Sequence, residues 1–216
     1  MPKVRLTAYP FPRGVASWCH ISTPDTTAPE NASWKPDGKY KITVILDSEE
    51  PLAKIRAAFM ATAKEKWPDV DPEDIHLPWR FHDDDDKNEN LRNKVTVVAS
   101  SQYRPALYDA KKQPVPLVKR EGKEVYEVAP YGGDIVRFVA QAVPYEKTEK
   151  VKEGKKYVEE TMRGISLRLT TVQLIEKRGG AGGADLLDEE EGFSVGGGGS
   201  FSDTPDTEGE VDGGDF

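Results

Sequence analysis

Short runs rich in Val, Ile, Thr and Tyr recur along the first 178 residues, and turn-forming residues separate them. In the run 39–47 (KYKITVILD), Ile42, Val44 and Leu46 alternate with other residues, which is the two-residue period of a half-buried strand. The composition of the other runs also favours β-structure. These runs are 3–11, 94–100, 106–109, 113–118, 123–130, 134–145 and 164–177. The sequence therefore predicts a mainly β protein.

One segment, 48–67, has helical spacing instead. Ser48 is predicted to cap this helix, Pro51 suits its first turn, and Pro68 ends it. Four apolar residues recur at spacings of three and four and would be buried on one face: Leu52, Ile55, Phe59 and Ala63. We therefore expect one amphipathic helix inserted between strands.

Many short strands and a single inserted helix are typical of a small barrel. We predict an OB-fold-like, closed or partly open antiparallel barrel with one inserted α-helix. The paired glycines Gly132 and Gly133, directly before a long strand, suit a barrel corner, and 109–112 is predicted to be a hairpin tip. Periodicity alone leaves a small β-sandwich open.

Charge divides the chain into two parts. Residues 179–216 contain 11 Asp and Glu and no Lys or Arg, so the other 178 residues keep 27 of the 38 acids against all 30 bases, a net charge of about +3. We predict a folded domain over 1–178 and a flexible acidic tail over 179–216. A basic body joined to an acidic tail is typical of proteins that handle nucleic acid, and the alternative is a tail that only keeps the protein soluble.

Sequence signals for catalysis are weak. The single cysteine, Cys19, excludes an internal disulfide and a thiolate metal cluster, and phosphate-binding loops and nucleophile motifs are absent from the sequence. The remaining enzymatic hypothesis is a metal-dependent nuclease that uses His76, His82 and the carboxylates of 83–86. We expect no enzyme, no metal and no cofactor. The sequence has no apolar run long enough for a membrane span, so we expect a soluble intracellular protein with no membrane partner.

Aromatic and basic residues interleave repeatedly, as single-stranded nucleic acid requires, because bases stack on aromatic rings and phosphates pair with Lys and Arg. Phe138 lies in an apolar strand and is expected in the core. The predicted stacking residues are Trp18, Trp34, Trp79, Phe81, Tyr103 and Tyr108. The predicted phosphate contacts are Arg80, Arg92, Lys94, Arg104, Lys111, Lys112 and Arg137.

The order of features resembles a known family. The chain begins this order with the strand YKITVILD, followed by the helix that opens on SEEPLAKI and ends at Trp-Pro, and then by the segment LPWRF. Next come the hairpin around DAKKQPV and the strands YGGDIVRFVAQAVPYEK and GISLRLTTVQLIEK. An acidic tail ending in DGGDF follows. Together they are similar to the single-stranded DNA-binding proteins of tailed bacteriophages, over essentially the whole chain.

This resemblance implies an OB-fold that binds single-stranded DNA, without sequence preference and without catalysis, in phage replication, recombination and repair. It implies that the tail, with Asp212, Asp215 and Phe216 at its end, mimics single-stranded DNA and competes for the protein's own groove. The tail would also recruit replication proteins such as DNA polymerase and helicase-primase. The expected location is the cytoplasm of an infected bacterium, and tail exchange in relatives leaves a homodimer open. The alternative is an interaction or scaffold module that uses the tail as a ligand and does not bind DNA.

Overall fold

The computed structural model describes residues 7–26, 35–153 and 156–178, and for 150–153 and 156–158 it describes the backbone alone. The described strands are β1 Ala8–Pro10, β2 Gly14–His20, β3 Tyr40–Leu46, β4 Ile75–His76, β5 Trp79–Phe81, β6 Val95–Ser101, β7 Ala106–Tyr108, β8 Leu117–Arg120, β9 Lys123–Tyr126, β10 Ile135–Glu153 and β11 Lys156–Glu176. Helix α1 spans Ala53–Lys66, and short 3-10 turns span Glu50–Leu52, Pro72–Asp74 and Glu89–Leu91.

Five of these strands close into a ring in the order β2, β3, β6, β11, β10 and back to β2. The pairings around the ring are antiparallel, except that β6 meets β11 in parallel at Ser100 and Arg168. The short strands β1, β4, β5 and β7 add to this ring at its edges, and β8 and β9 form a separate hairpin. The ring confirms the predicted OB-fold-like barrel with an inserted helix.

The core follows from the alternation of the ring strands. Ile42, Val44 and Leu46 of β3 are buried, as the two-residue period predicts. Phe138 is also buried, and its ring stacks on that of Phe11 at a centroid distance of 4.5 Å. Burying apolar side chains of this size contributes roughly 1.5–3 kcal/mol each to stability. The inward positions are therefore used for packing, which leaves the outward positions for binding.

Helix α1 follows ring strand β3 along the chain, before ring strand β6, and buries the predicted face. Ile55, Phe59 and Ala63 pack into the core together with Leu52 from the preceding 3-10 turn. The prediction that Ser48 caps the helix is wrong, because the segment starts as a 3-10 turn whose N-cap, Glu49, makes no side-chain capping bond. The carboxylate of Glu49 instead accepts hydrogen bonds from Arg56 and Trp79.

The β10–β11 hairpin extends well beyond its predicted ends. Its ladder continues from the Tyr145–Gly164 pair to the Glu153–Lys156 pair, so the two strands form a ribbon that we call the arm, residues 145–153 and 156–164. The prediction of a strand at 113–118 is also wrong in its bounds, since β8 begins only after Pro116, at Leu117. The segment 79–81, which lies outside the predicted strands, pairs with β6 as strand β5.

Candidate nucleic-acid interface

A bulge in β2 turns Trp18 outward. Ala16 pairs with Val44 and the next pair is Trp18 with Thr43, so Ser17 is the extra residue. Ala16 is buried, whereas Ser17 and Trp18 are both exposed. Without the extra residue, strict alternation would point Trp18 into the core. With it, 44% of the Trp18 surface is exposed, and its ring lies 5.2 Å from that of His20.

Two rows of outward side chains run from β2 across the ring. The first row pairs Trp18 with Thr43 and Thr43 with Val98, which is 44% exposed. The second row pairs His20 with Lys41, Lys41 with Ser100 and Ser100 with Arg168. We call these two rows the outer face; its members are Trp18, His20, Lys41, Thr43, Val98, Ser100 and Arg168. The outer face therefore places an apolar, aromatic row beside a basic row.

A groove of about 420 Å³ adjoins the second row. Its lining comes from the end of β6 and the residues after it, from the base of the arm, and from the loop before β3; these residues are Lys39, Ser100, Ser101, Gln102, Tyr103, Val143, Ser166, Leu167 and Arg168. The lining holds two cations and no carboxylate. Tyr103 is 77% exposed, and its backbone N–H donates to the Ser101 hydroxyl at 3.0 Å. The groove thus combines an accessible ring with positive charge.

The two cations of the second row, Lys41 and Arg168, differ in their surroundings. Lys41 Nζ lies 3.4 Å from the buried carboxylate of Asp25 and 3.3 Å from Asp37. Arg168 is exposed and forms no ion pair within the described ranges. Because an unpaired surface guanidinium loses no protein partner when it binds an anion, Arg168 is the better placed of the two for a phosphate.

Three predicted residues meet elsewhere, beside β10 and β11. Tyr108, Lys112 and Arg137 line a second, mostly apolar groove of about 330 Å³. Arg137 donates from Nε to the Phe11 carbonyl at 3.1 Å. Lys111 lies in the adjoining turn, which closes with a 3.0 Å bond from the Lys112 N–H to the Asp109 carbonyl as the predicted hairpin tip requires. These residues form a second basic and aromatic surface.

A third group of predicted residues surrounds the acidic segment after β5. Trp79 packs its ring against Phe59 and donates from Nε1 to Glu49 at 3.2 Å, so core contacts hold it. Phe81 is exposed, at 45%, and Lys94 is half-buried. The two arginines have acidic partners: Arg80 lies 3.5 Å from Asp86, and Arg92 lies 3.5 Å from Glu89.

His82 organises this acidic segment. It is buried, with Nδ1 2.7 Å from Asp86 Oδ2 and Nε2 2.9 Å from the Thr96 hydroxyl. The hydrogen bond from His82, and then that from the Asn88 N–H, holds the pKa of Asp86 below its ordinary value. The histidine therefore has structural partners on both ring nitrogens.

The remaining predicted residues have separate positions. Arg104 donates to the Glu124 carbonyl at 2.7 Å and lies over the Tyr40 ring at 5.9 Å. Trp34 and the tail residues Asp212, Asp215 and Phe216 lie outside the described residues. The structure thus brings Trp18 and Tyr103 to the outer face and its groove, gathers Tyr108, Lys112 and Arg137 beside β10, and leaves the others apart.

The described ranges contain no group of three or more His, Cys, Asp or Glu side chains arranged to hold a metal ion. His76 belongs to β4, whereas His82 follows β5. Burial, and then the nearby charge of Asp134, raises the pKa of Cys19 to about 12, so this thiol is a poor nucleophile.

Among the helices of the described part, none has the length and apolar character needed to cross a membrane.

Sequence reasoning missed Arg168, Lys41 and Val98 as candidate site residues. The signal for Arg168 was the alternation in GISLRLTT, where Ile165, Leu167 and Leu169 are buried and Arg168 is exposed between them. The sequence alone could therefore have predicted a basic residue at an outward position of this strand. Its adjacency to Ser100 and Lys41 was not, because it depends on ring closure.

No family model matches the chain, and no curated protein matches it significantly. Among solved structures, the fold is similar to that of the single-stranded DNA-binding protein from bacteriophage Enc34. The C-terminally truncated form of that protein has a TM-score of 0.50 and 16% sequence identity, and the match covers 80% of this chain and 87% of that chain. A second structure of the same protein has a TM-score of 0.50 and 15% sequence identity, and the match covers 82% of this chain and 85% of that chain. The single-stranded DNA-binding protein gp2.5 encoded by bacteriophage T7 has a TM-score of 0.45 and 18% sequence identity, and the match covers 85% of this chain and 98% of that chain. The resemblance stated from the sequence is thus confirmed in the fold.

Proposed function

We propose that this chain binds single-stranded DNA without sequence preference, on the outer face and in the groove beside it. The observation that carries the proposal is the outward Trp18, in a row adjacent to one that contains Lys41 and Arg168. Each unpaired base presents a π-face to an exposed ring, and each phosphate presents a charge to a Lys or Arg. The outer face supplies both kinds of contact within one ladder of paired strands.

The position of this face in the fold supports the proposal. OB-folds bind oligonucleotides on the barrel face formed by their central strands and flanked by two loops. Here the corresponding flanks are the described residues between β2 and β3, 21–26 and 35–39, and the arm formed by β10 and β11. The Enc34 protein, whose fold this chain shares, is itself described as a single-stranded DNA-binding protein.

The chemistry favours single strands and little sequence preference. In a duplex the base faces are stacked on one another, so a ring such as Trp18 reaches a base only when the strand is unpaired. Contacts to phosphates and to base faces carry little sequence information, because sequence is read through base edges. The outer face offers rings and cations as its main groups.

The wider role is also a proposal. The protein would act by binding rather than catalysis, in replication, recombination and repair of phage DNA, in the cytoplasm of an infected bacterium. The acidic tail, 179–216, would compete with DNA for the outer face and recruit replication proteins such as DNA polymerase and helicase-primase. The charge contrast supports competition, since a tail of −11 is attracted to a body of about +3.

The direct test is equilibrium binding of the full-length protein to fluorescent oligo(dT) and to duplex DNA across a salt series, with the variant Trp18→Ala. We expect preference for the single strand and a roughly 5- to 150-fold loss of affinity in Trp18→Ala, the range that one stacked base contributes. Trp67→Phe, at the end of α1, is the matched tryptophan control and should bind like wild type. Absence of oligo(dT) binding at low salt would favour the interaction-module alternative.

A further inference from the structure

Tyr131 is an exposed aromatic residue in the loop before β10, and it was not among the predicted site residues. The side chain is 52% exposed, and Lys177 Nζ lies 5.1 Å from the ring centroid. Lys177 is held over the ring by a 3.3 Å hydrogen bond from Nζ to the Ala129 carbonyl. One ring face is thus covered by a cation, and the exposed half of the residue is open to solvent.

The loop that carries Tyr131 is rigidly attached to the barrel. The buried Asp134 accepts the Tyr131 N–H at 2.9 Å through one carboxylate oxygen and the Arg178 N–H at 2.9 Å through the other. Gly133, at a φ of +92° that disfavours other residues, donates its N–H to the Ala16 carbonyl at 2.8 Å. One buried carboxylate therefore fixes both Tyr131 and the strand end that carries Lys177.

These attachments also place Tyr131 beside the outer face. A Cβ added to Gly132 would lie 3.3 Å from the carbonyl oxygen of Ser17, the residue that precedes Trp18. Adding the covalent steps on either side puts the Cα atoms of Tyr131 and Trp18 within roughly 12 Å of each other. The backbone segments that carry the two rings therefore lie close together, beside β2.

We propose that Tyr131 and Lys177 form a further stacking and phosphate site for single-stranded DNA, which continues the path that begins at Trp18. This inference rests on the proposed function. The open side of the Tyr131 ring receives a base, and the Lys177 ammonium pairs with a neighbouring phosphate. Because Asp134 and Gly133 already hold the loop, little conformational entropy is lost when the strand binds.

Lys177 is suited to this role by its electrostatic surroundings as well as its position. It forms no ion pair with a described carboxylate, whereas its neighbour Arg178 is paired with Glu176 at 3.2 Å. Exchange of its hydrogen bond to Ala129 for one to a phosphate leaves no buried charge behind. Its contribution to binding should therefore appear in the salt dependence of the affinity.

The test measures oligo(dT) affinity of the full-length protein and of Tyr131→Ala, Tyr131→Phe and Lys177→Ala. We expect a roughly 5- to 150-fold loss for Tyr131→Ala, near-complete retention for Tyr131→Phe because the ring remains, and a salt slope smaller by about 0.7 for Lys177→Ala. Lys64→Ala, on the last turn of α1, removes the same charge from another surface and should leave the slope unchanged. Thermal unfolding of each variant shows whether it is folded.

Oligonucleotide length gives a second readout. The loss caused by Tyr131→Ala should appear with long oligo(dT) and vanish with strands too short to span from Trp18 to Tyr131. If wild type binds and Trp18→Ala weakens binding while Tyr131→Ala and Lys177→Ala do not, this inference is wrong and the proposed function stands. If wild type does not bind oligo(dT), the proposed function itself fails.

Discussion

A single residue decides whether Trp18 belongs to the core or to the surface. The alternation of β2 would direct it inward, and the extra residue Ser17 reverses that direction. Arg168 shows the opposite case: strict alternation in β11 keeps it outward between buried leucines. At this scale, the ability of a side chain to meet a ligand depends on strand register, and residue type alone does not determine it.

Arg168→Gln tests the electrostatic part of the proposed site. Loss of one phosphate contact should weaken oligo(dT) binding at low salt and reduce the slope of log affinity against log salt by about 0.7. Arg56→Gln changes the net charge equally, but from the exposed side of α1, where Arg56 pairs with Glu49 at 3.3 Å. A binding titration across a salt series distinguishes the two. Equal effects would mean that overall charge, rather than contact at Arg168, controls affinity.

Asp86 makes stability depend on pH. The hydrogen bond from His82 is the main cause that lowers the pKa of Asp86, so the folded state favours its ionised form. That stabilisation is complete at pH values above the pKa of Asp in the unfolded chain, about 3.9, and it is lost as the pH falls through the lower pKa of Asp86 in the folded state. Asp86→Ala should therefore lower the melting temperature at neutral pH, and the difference from wild type should shrink in strong acid.

Asp86→Asn is the matched control for this pH effect, because its amide oxygen still accepts a hydrogen bond from the Asn88 N–H while the charge is absent. Melting curves against pH, followed by circular dichroism, compare the three proteins. An Asp86→Ala deficit that stays constant from neutral to strongly acidic pH would contradict the assignment to the carboxylate charge.

At the scale of elements, the arm is where prediction from sequence stopped short. The ring strands were predictable because each has one apolar face, as in β3 and β6. The arm sequence from Glu146 to Arg163 is polar in most positions, so it has no periodic apolar signal. It is paired by its own cross-strand ladder, which depends on the register set in the barrel. The closure of β6 on β11 likewise depends on tertiary contacts that a one-dimensional pattern does not contain.

Gly164 marks the point where β11 leaves the barrel and the arm begins. A Cβ there would lie 2.7 Å from both the His76 carbonyl oxygen and the Tyr145 hydroxyl. The carbonyl belongs to β4, which pairs with β11 at this residue, so it has little room to move. We expect Gly164→Ala to destabilise the fold by roughly 1–3 kcal/mol, as overpacking does. Urea unfolding measures this free energy.

The Tyr145 ring can rotate away, whereas the backbone of β4 cannot, and a second variant separates the two contacts. Gly164→Ala combined with Tyr145→Ala removes the clash with the ring and leaves the clash with the His76 carbonyl. The double variant should therefore remain less stable than Tyr145→Ala alone. Full recovery to the stability of Tyr145→Ala would show that the ring was the whole obstacle.

At the scale of the whole molecule, charge is distributed unevenly over the described surface. The groove beside the outer face has Lys39 and Arg168 and no carboxylate in its lining. Another groove, of about 430 Å³ near the 3-10 turn at Pro72–Asp74, is lined by several carboxylates: Asp69, Asp71, Glu73, Asp74 and Glu160. An anionic strand is attracted to the first groove and repelled by the second, which gives the surface a preferred path.

Deletion of 179–216 changes the net charge from −8 to about +3. If the tail competes with DNA, deletion should tighten oligo(dT) binding most at low salt, where charges act over the longest range. The competing tail contact weakens with salt as the DNA contact does, so the full-length protein should show the shallower salt dependence. The two binding curves should then converge at high salt. Fluorescence titrations of both proteins across the same salt series measure this.

A tail of the same length with its Asp and Glu changed to Asn and Gln separates charge from bulk. Competition by charge predicts that the neutral tail and the deletion behave alike, because neither offers carboxylates in place of phosphates. Tighter binding by the deletion alone would instead indicate that the tail obstructs the outer face by its volume. Unchanged affinity in both proteins would contradict tail competition. The proposal that the outer face binds single strands would still stand after that result. Tail competition and single-stranded DNA binding by the outer face can therefore be tested independently.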